Sequence, residues 1–142
     1  MTFEAIRPIM MVKNLKETID FYSDVLGFTL NGTHPEGDDP FWASMSCGKA
    51  SLMFSFVGEP HAHDEGEELH SHEPQFNGVL YLDPSGSLEE LHAKVKSKVA
   101  TCGDIDEMPW GMKEFSILDP NGYNLTFGVP LAVAEDGDAN GA

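Results

Sequence analysis

Apolar residues recur at helical spacing in two stretches of the chain. The first follows Asn14 and places Leu15, Ile19, Tyr22 and Leu26 on one face; the second follows Ser87 and places Leu88, Leu91, Val95 and Val99 on one face. Spacings of three and four predict amphipathic helices. Asn14 with Glu17, and Ser87 with Glu90, have the types and spacing of N-terminal capping pairs, and Gly27 and Gly103 supply stops. Shorter runs around each helix predict strands: 5–12, 28–31, 41–47 and 50–57 around the first, and 76–82, 104–108, 111–118 and 124–129 around the second. Asp119-Pro120-Asn121-Gly122 joins the last two runs as a tight turn, because Pro presets φ and Asn-Gly accepts positive φ. Cys47-Gly48-Lys49 is its weaker counterpart in the first half.

Each half therefore reads βαβββ. The two caps, Asn14 and Ser87, lie 73 residues apart, and the turn glycines Gly48 and Gly122 lie 74 apart. An internal repeat of this kind bounds the fold. Halves of this size close separate cores with difficulty. Sharing one core is the favoured solution: an α+β architecture of tandem βαβββ modules forming curved mixed sheets around a cleft, helices outside. An unrelated α+β sandwich is the alternative. The expected organisation is one domain, with module one over 4–58, a linker over 59–75, module two over 76–130 and an acidic mobile tail over 131–142.

The chain has 142 residues, 41% of them hydrophobic, and a net charge of −16 from 24 acidic and 8 basic residues. Such acidity repels nucleic acid and anionic membranes, both of which are bound by neutralising phosphates. No apolar run approaches the roughly 20 residues of a bilayer span. The amino terminus lacks the basic-then-apolar pattern of a secretory signal, so the expected location is cytoplasmic. Cys47 and Cys102 form no CxxC pair and read as reduced thiols. There is no Gly-rich phosphate loop, nucleophile elbow or HExxH helix.

Three blocks carry a family pattern. Val12-Lys13-Asn14-Leu15 with Phe21-Tyr22-Ser23-Asp24-Val25-Leu26-Gly27-Phe28 resembles the opening of vicinal oxygen chelate proteins, the superfamily of glyoxalases, bleomycin resistance proteins and dioxygenases. Asn77-Gly78-Val79-Leu80-Tyr81-Leu82 looks like the central strand of their second module. Trp110 to Phe115, followed by Asp119-Pro120-Asn121-Gly122-Tyr123-Asn124-Leu125-Thr126-Phe127, resembles their closing hairpin. The resemblance covers roughly residues 5–130 and implies the glyoxalase/bleomycin-resistance fold.

In family members that are enzymes, the first and last strands of each module donate metal ligands. Carried onto this sequence, those positions are Arg7, Met53, Asn77 and Thr126, with Ser51 and Ser55 on the face of Met53. A divalent metal wants imidazole or carboxylate there. Arg7 is permanently cationic and has no lone pair to give. The expectation is therefore no cofactor and no metal in the cleft, with the metal-independent, bleomycin-resistance-like branch as precedent. Its function is binding or sequestering a small molecule. A metal-dependent lyase or dioxygenase is the alternative, for which Glu114 and His34 are the candidate acid–base residues.

Alternation along the strands groups Arg7, Ile9 and Met11, and groups Asn77, Val79 and Tyr81. Phe115 and Ile117 are expected beside Thr126 and Gly128, with Trp42 and Trp110 bordering the opening. The candidate ligand-binding residues are thus Arg7, Met11, Trp42, Met53, Asn77, Tyr81, Trp110, Phe115 and Thr126. An apolar, aromatic wall with few polar anchors suits a small-molecule site. Arg7 can hold a carboxylate or phosphate through two parallel bonds, or brace the cleft against an internal acid such as Glu114. Tyr81, Phe115 and Trp42 equally suit a core. Ligand charge stays open, since the acidity favours cations and Arg7 disfavours them. The segment 61–73 holds His61, His63, His70 and His72, which suit adventitious binding of a divalent metal and offer a third reading, a metal-binding interaction protein. The family resemblance also implies a homodimer.

Overall fold

The computed structural model describes residues 1–56 and 76–131, which form two compact units. The first comprises residues 1–56 and 76–79 with the turn Leu118–Asn124; the second comprises Leu80–Ile117 and residues 125–131. The histidine-rich segment and the acidic tail lie outside the described residues. No helix among the described residues is long and apolar enough to cross a membrane.

In the first unit, β1 (Ile9–Val12) leads into α1 (Leu15–Asp24), followed by β2 (Thr29–His34), β3 (Trp42–Cys47) and β4 (Ala50–Phe56). The sheet order is β1-β4-β3-β2, with β1 parallel to β4 and the other pairs antiparallel. Helix α1 starts where expected: the Asn14 carboxamide accepts the Glu17 N–H at 2.8 Å, satisfying one of the donors a helix leaves unpaired at its start. The buried stripe is Leu15, Thr18, Tyr22 and Val25, while Ile19 and Leu26 are only half-buried. The stripe is thus rotated from the apolar spacing. Thr18 tolerates full burial because its hydroxyl donates to Asn14 O at 2.8 Å and accepts from Asn121 Nδ2 at 3.1 Å. Tyr22 packs edge-on against Phe28 and tilted against Phe54, with ring centroids 5.6 and 4.9 Å apart. Ala43, Met45, Leu52 and Phe54 complete this core.

Strand β1 is shorter than the run 5–12 because Pro8 has no N–H to donate to a ladder. Pairing still reaches back one residue, where Met53 N–H donates to Pro8 O at 2.9 Å. Residues 1–7 are exposed.

The second unit contains β5 (Val79–Leu82), α2 (Leu88–Lys96), β6 (Asp106–Glu107), β7 (Met112–Leu118) and β8 (Asn124–Pro130), in the sheet order β5-β8-β7-β6. Ser87 caps α2 by accepting the Glu90 N–H at 3.1 Å. The buried set is Leu88, Val95, Val99, Phe115, Ile117, Leu125 and Phe127. Phe115 stacks on Phe127 with centroids 5.0 Å apart and meets the His92 ring of α2 edge-on at 4.9 Å. The architecture is α+β: two helices and two open four-stranded mixed sheets.

Candidate functional site

Strands β3 and β4 sort their side chains strictly. Ala43, Met45, Leu52 and Phe54 are buried beneath α1, and Trp42, Ser44, Ser46, Ser51, Met53 and Ser55 point to the opposite face. Direct neighbours across the ladder are Ser44 with Met53 and Ser46 with Ser51. That face floors a cavity of about 540 Å³ in the first unit. Trp42 and Met53 supply its apolar surface, and Ala5 to Arg7 pass along its edge. Asn31 enters because β2 bulges there: the register shifts between Leu30 and Gly32, leaving Asn31 as the extra residue. The turn after β3 brings Lys49 to the same cavity.

The chemistry of this lining is one-sided. Arg7 is the only arginine of the chain, and Lys49 is a second cation. Ser44, Ser46, Ser51 and Asn31 add neutral hydrogen-bonding groups, and among the described residues no aspartate or glutamate contributes to the wall. Among the described residues no carboxylate pairs with Arg7.

A second group of polar side chains lies in the second unit. Glu114, in the middle of β7, is only 7% exposed. Its Oε2 accepts the Tyr81 hydroxyl at 2.8 Å and the Trp110 indole N–H at 3.1 Å. On the same face Ser116 and Thr126 share a hydroxyl–hydroxyl bond of 2.7 Å. Tyr81 lies over Gly128, where a Cβ would fall 1.9 Å from the phenol oxygen. Desolvation and the bond to Glu114 push the Tyr81 phenol up to about 12, so it remains a donor at neutral pH.

Of the sequence candidates, Arg7, Trp42 and Met53 come together around the first cavity, and Tyr81 and Thr126 share one sheet face of the second unit, where the Trp110 indole reaches Glu114 from the turn before β7. Three do not join them. Met11 is half-buried on β1 and is not part of the cavity wall; its carbonyl accepts the Tyr123 hydroxyl. Asn77 is exposed ahead of β5. Phe115 corrects the assumed phase of β7: it points to the α2 side with Ile117, and Glu114 and Ser116 occupy the face of Thr126 and Gly128. His34 is exposed, edge-on to Phe41 at 5.6 Å, and does not line the cavity. Ser44, Ser46, Lys49 and Asn31 were missed, and Ser51 was placed on the face of Met53 without being taken as a binding residue. The signal for the serines was the alternation in Trp-Ala-Ser-Met-Ser and Ser-Leu-Met-Phe-Ser.

The sequence profile of the Glyoxalase/Bleomycin resistance protein/Dioxygenase superfamily matches residues 5–127. The chain belongs to this superfamily. Solved structures agree on the glyoxalase/bleomycin-resistance fold. TioX from Micromonospora sp. ML1 superposes with a TM-score of 0.72 at 18% identity, covering 91% of this chain and 100% of its own. The bleomycin-binding protein of bleomycin-producing Streptomyces verticillus, in complex with copper(II)-bleomycin, gives 0.61 at 19% identity over 94% and 99% of the two chains. Lactoylglutathione lyase from Agrobacterium tumefaciens gives 0.64 at 20% identity over 88% and 92%. No curated protein sequence matches significantly.

Superfamily membership raises the question of a metal. At the four positions carried over from the enzymes, Arg7 is cationic, Met53 offers a thioether, Asn77 an exposed carboxamide, and Thr126 a hydroxyl bonded to Ser116. This donor set does not fit a divalent first-row ion. Among the described residues no three His, Cys, Asp or Glu side chains are grouped to hold one.

Proposed function

We propose that this superfamily member binds an organic oxyanion, a carboxylate or phosphate on an apolar or aromatic body, in the cavity of its first unit without the help of a metal. The observation that carries the reading is the lining. In a chain of net charge −16, a cavity whose described lining holds Arg7 and Lys49 and no acidic residue is a local reversal of sign. Arg7 suits bidentate recognition of a planar or tetrahedral oxyanion. Lys49, Asn31 and the serines can donate to its remaining oxygens, and Trp42 and Met53 receive the apolar body. A cavity of about 540 Å³ is in the range of small-molecule sites. The copper(II)-bleomycin complex of a fold neighbour supports binding, in place of turnover, as a use of this fold.

The competing reading, a metal-dependent lyase, draws on the lactoylglutathione lyase neighbour. It needs carboxylate or imidazole where this chain has Arg7 and Met53. A homodimer remains part of the proposal, supported by exposed apolar side chains such as Ile9 (51%) and Val79 (50%), which a second copy would cover. Sedimentation tests it. For the binding itself, phenyl phosphate and benzoate are titrated into metal-stripped protein with Trp42 fluorescence as the readout. Binding that weakens at least tenfold in Arg7→Ala supports the proposal; binding indifferent to that change, or absent, overturns it.

A further inference from the structure

We propose that Glu114, Tyr81 and Trp110 of the second unit form a separate site for an organic ammonium group, a primary or secondary amine carried on a small ligand. The argument starts from an incompletely compensated charge. Glu114 is 93% shielded, yet no described Lys, Arg or His pairs with it. The adjacent Lys113 is bonded to Glu89 instead. Two neutral donors offset only part of the desolvation of a carboxylate.

Both donors go to the same oxygen. Oε2 takes the Tyr81 hydroxyl and the Trp110 indole N–H, while Oε1 receives no hydrogen bond from the described residues. No fully buried side-chain oxygen among the described residues lacks a partner, so Oε1 reaches solvent. The two aromatic donors also present ring surface, Tyr81 being 45% and Trp110 65% exposed. A cationic nitrogen beside Oε1 would gain a charge-assisted hydrogen bond and an attraction to electron-rich ring faces.

The geometry discriminates among cations. A guanidinium prefers to span both carboxylate oxygens, and here one is already saturated. A divalent ion needs several oxygen ligands; the one carboxylate opposite Glu114 in the β6–β7 ladder is the exposed Asp106, and among the described residues no three His, Cys, Asp or Glu side chains are grouped there. A single ammonium needs one free oxygen. The strong negative charge of the chain raises the local concentration of any such cation.

The test uses 15N-labelled protein and benzylamine, with benzyl alcohol as the neutral control of the same shape. The two indole N–H resonances, of Trp42 and Trp110, are assigned with Trp42→Phe. Benzylamine should shift the Trp110 resonance saturably and leave that of Trp42 in place, and benzyl alcohol should do neither. Glu114→Gln keeps an oxygen to accept from Tyr81 and Trp110 but removes the charge, and should weaken benzylamine binding at least tenfold. If that variant unfolds, calorimetry on Trp110→Ala replaces it, with weakened binding expected. Equal responses to amine and alcohol, or unchanged affinity in the folded variant, would overturn the proposal. Because the cavity of the first unit is probed by anions, failure of one site leaves the other standing.

Discussion

The Tyr22 hydroxyl donates to Asp119 Oδ2 at 2.8 Å, across 97 residues of sequence, and both side chains are buried in the first unit. The other Asp119 oxygen accepts the N–H groups of Asn121 (2.7 Å) and Tyr123 (3.0 Å) and so shapes the Asp-Pro-Asn-Gly turn. Asn121 in turn accepts the Lys13 N–H at 3.0 Å and donates to Thr18. Residues of the opening and closing blocks that resemble the superfamily pattern are therefore joined to one another, and these bonds hold the fold.

Loss of this link should be measurable. Tyr22→Phe removes one donor from a buried carboxylate, and hydrogen bonds to charged groups contribute about 1.5–3 kcal/mol. Asp119→Ala leaves three donors unpaired and should cost more, on the order of 3 kcal/mol or above. Urea denaturation of the two variants checks the ranking. Equal stability to the wild type would show that the turn is held by other means.

Burial, the Asp119 charge and the hydrogen bond to it all push the Tyr22 phenol far above its ordinary value of 10.0. The folded state keeps this proton where the unfolded chain releases it. Stability from Tyr22 is thus fully present below pH 10 and declines as pH rises beyond it, by about 1.4 kcal/mol per pH unit. Stability measured against alkaline pH should fall less steeply in Tyr22→Phe than in the wild type.

Gly128 leaves room for the Tyr81 hydroxyl on its way to Glu114. A Cβ at this position would lie 1.9 Å from that oxygen and 2.7 Å from Cζ. Gly128→Ala must displace Tyr81, at a cost of roughly 1–3 kcal/mol as for other overpacked sites. The thermal midpoint should drop. The Tyr81 titration, now near 12, should move toward 10.0 as the Glu114 bond is lost, and absorbance of the phenolate reads it.

Much of the fold was legible. The caps at Asn14 and Ser87, the turn at Asp119–Gly122 and the repeat itself each follow from local chemistry that has few alternatives. The site was less legible, for two physical reasons. In β7 both faces alternate apolar with polar residues: Met112, Glu114 and Ser116 against Lys113, Phe115 and Ile117. The phase was decided by α2 packing over Phe115, a tertiary fact. In the first unit, Asn31 reaches the cavity only through a bulge in β2, and Ser44, Ser46 and Ser51 have side chains too unremarkable to announce a site until register pairs them. Arg7 and Met53 were found because the family pattern marked their positions.

The most direct test of the account is calorimetric titration of phenyl phosphate into protein lacking residues 61–72, before and after exhaustive treatment with a chelator, with metal content measured on the same samples. The account predicts one binding event of unchanged affinity in both, with only substoichiometric metal, and its loss in Arg7→Ala. Binding that disappears on chelation and returns with one added zinc or nickel ion per chain would contradict it.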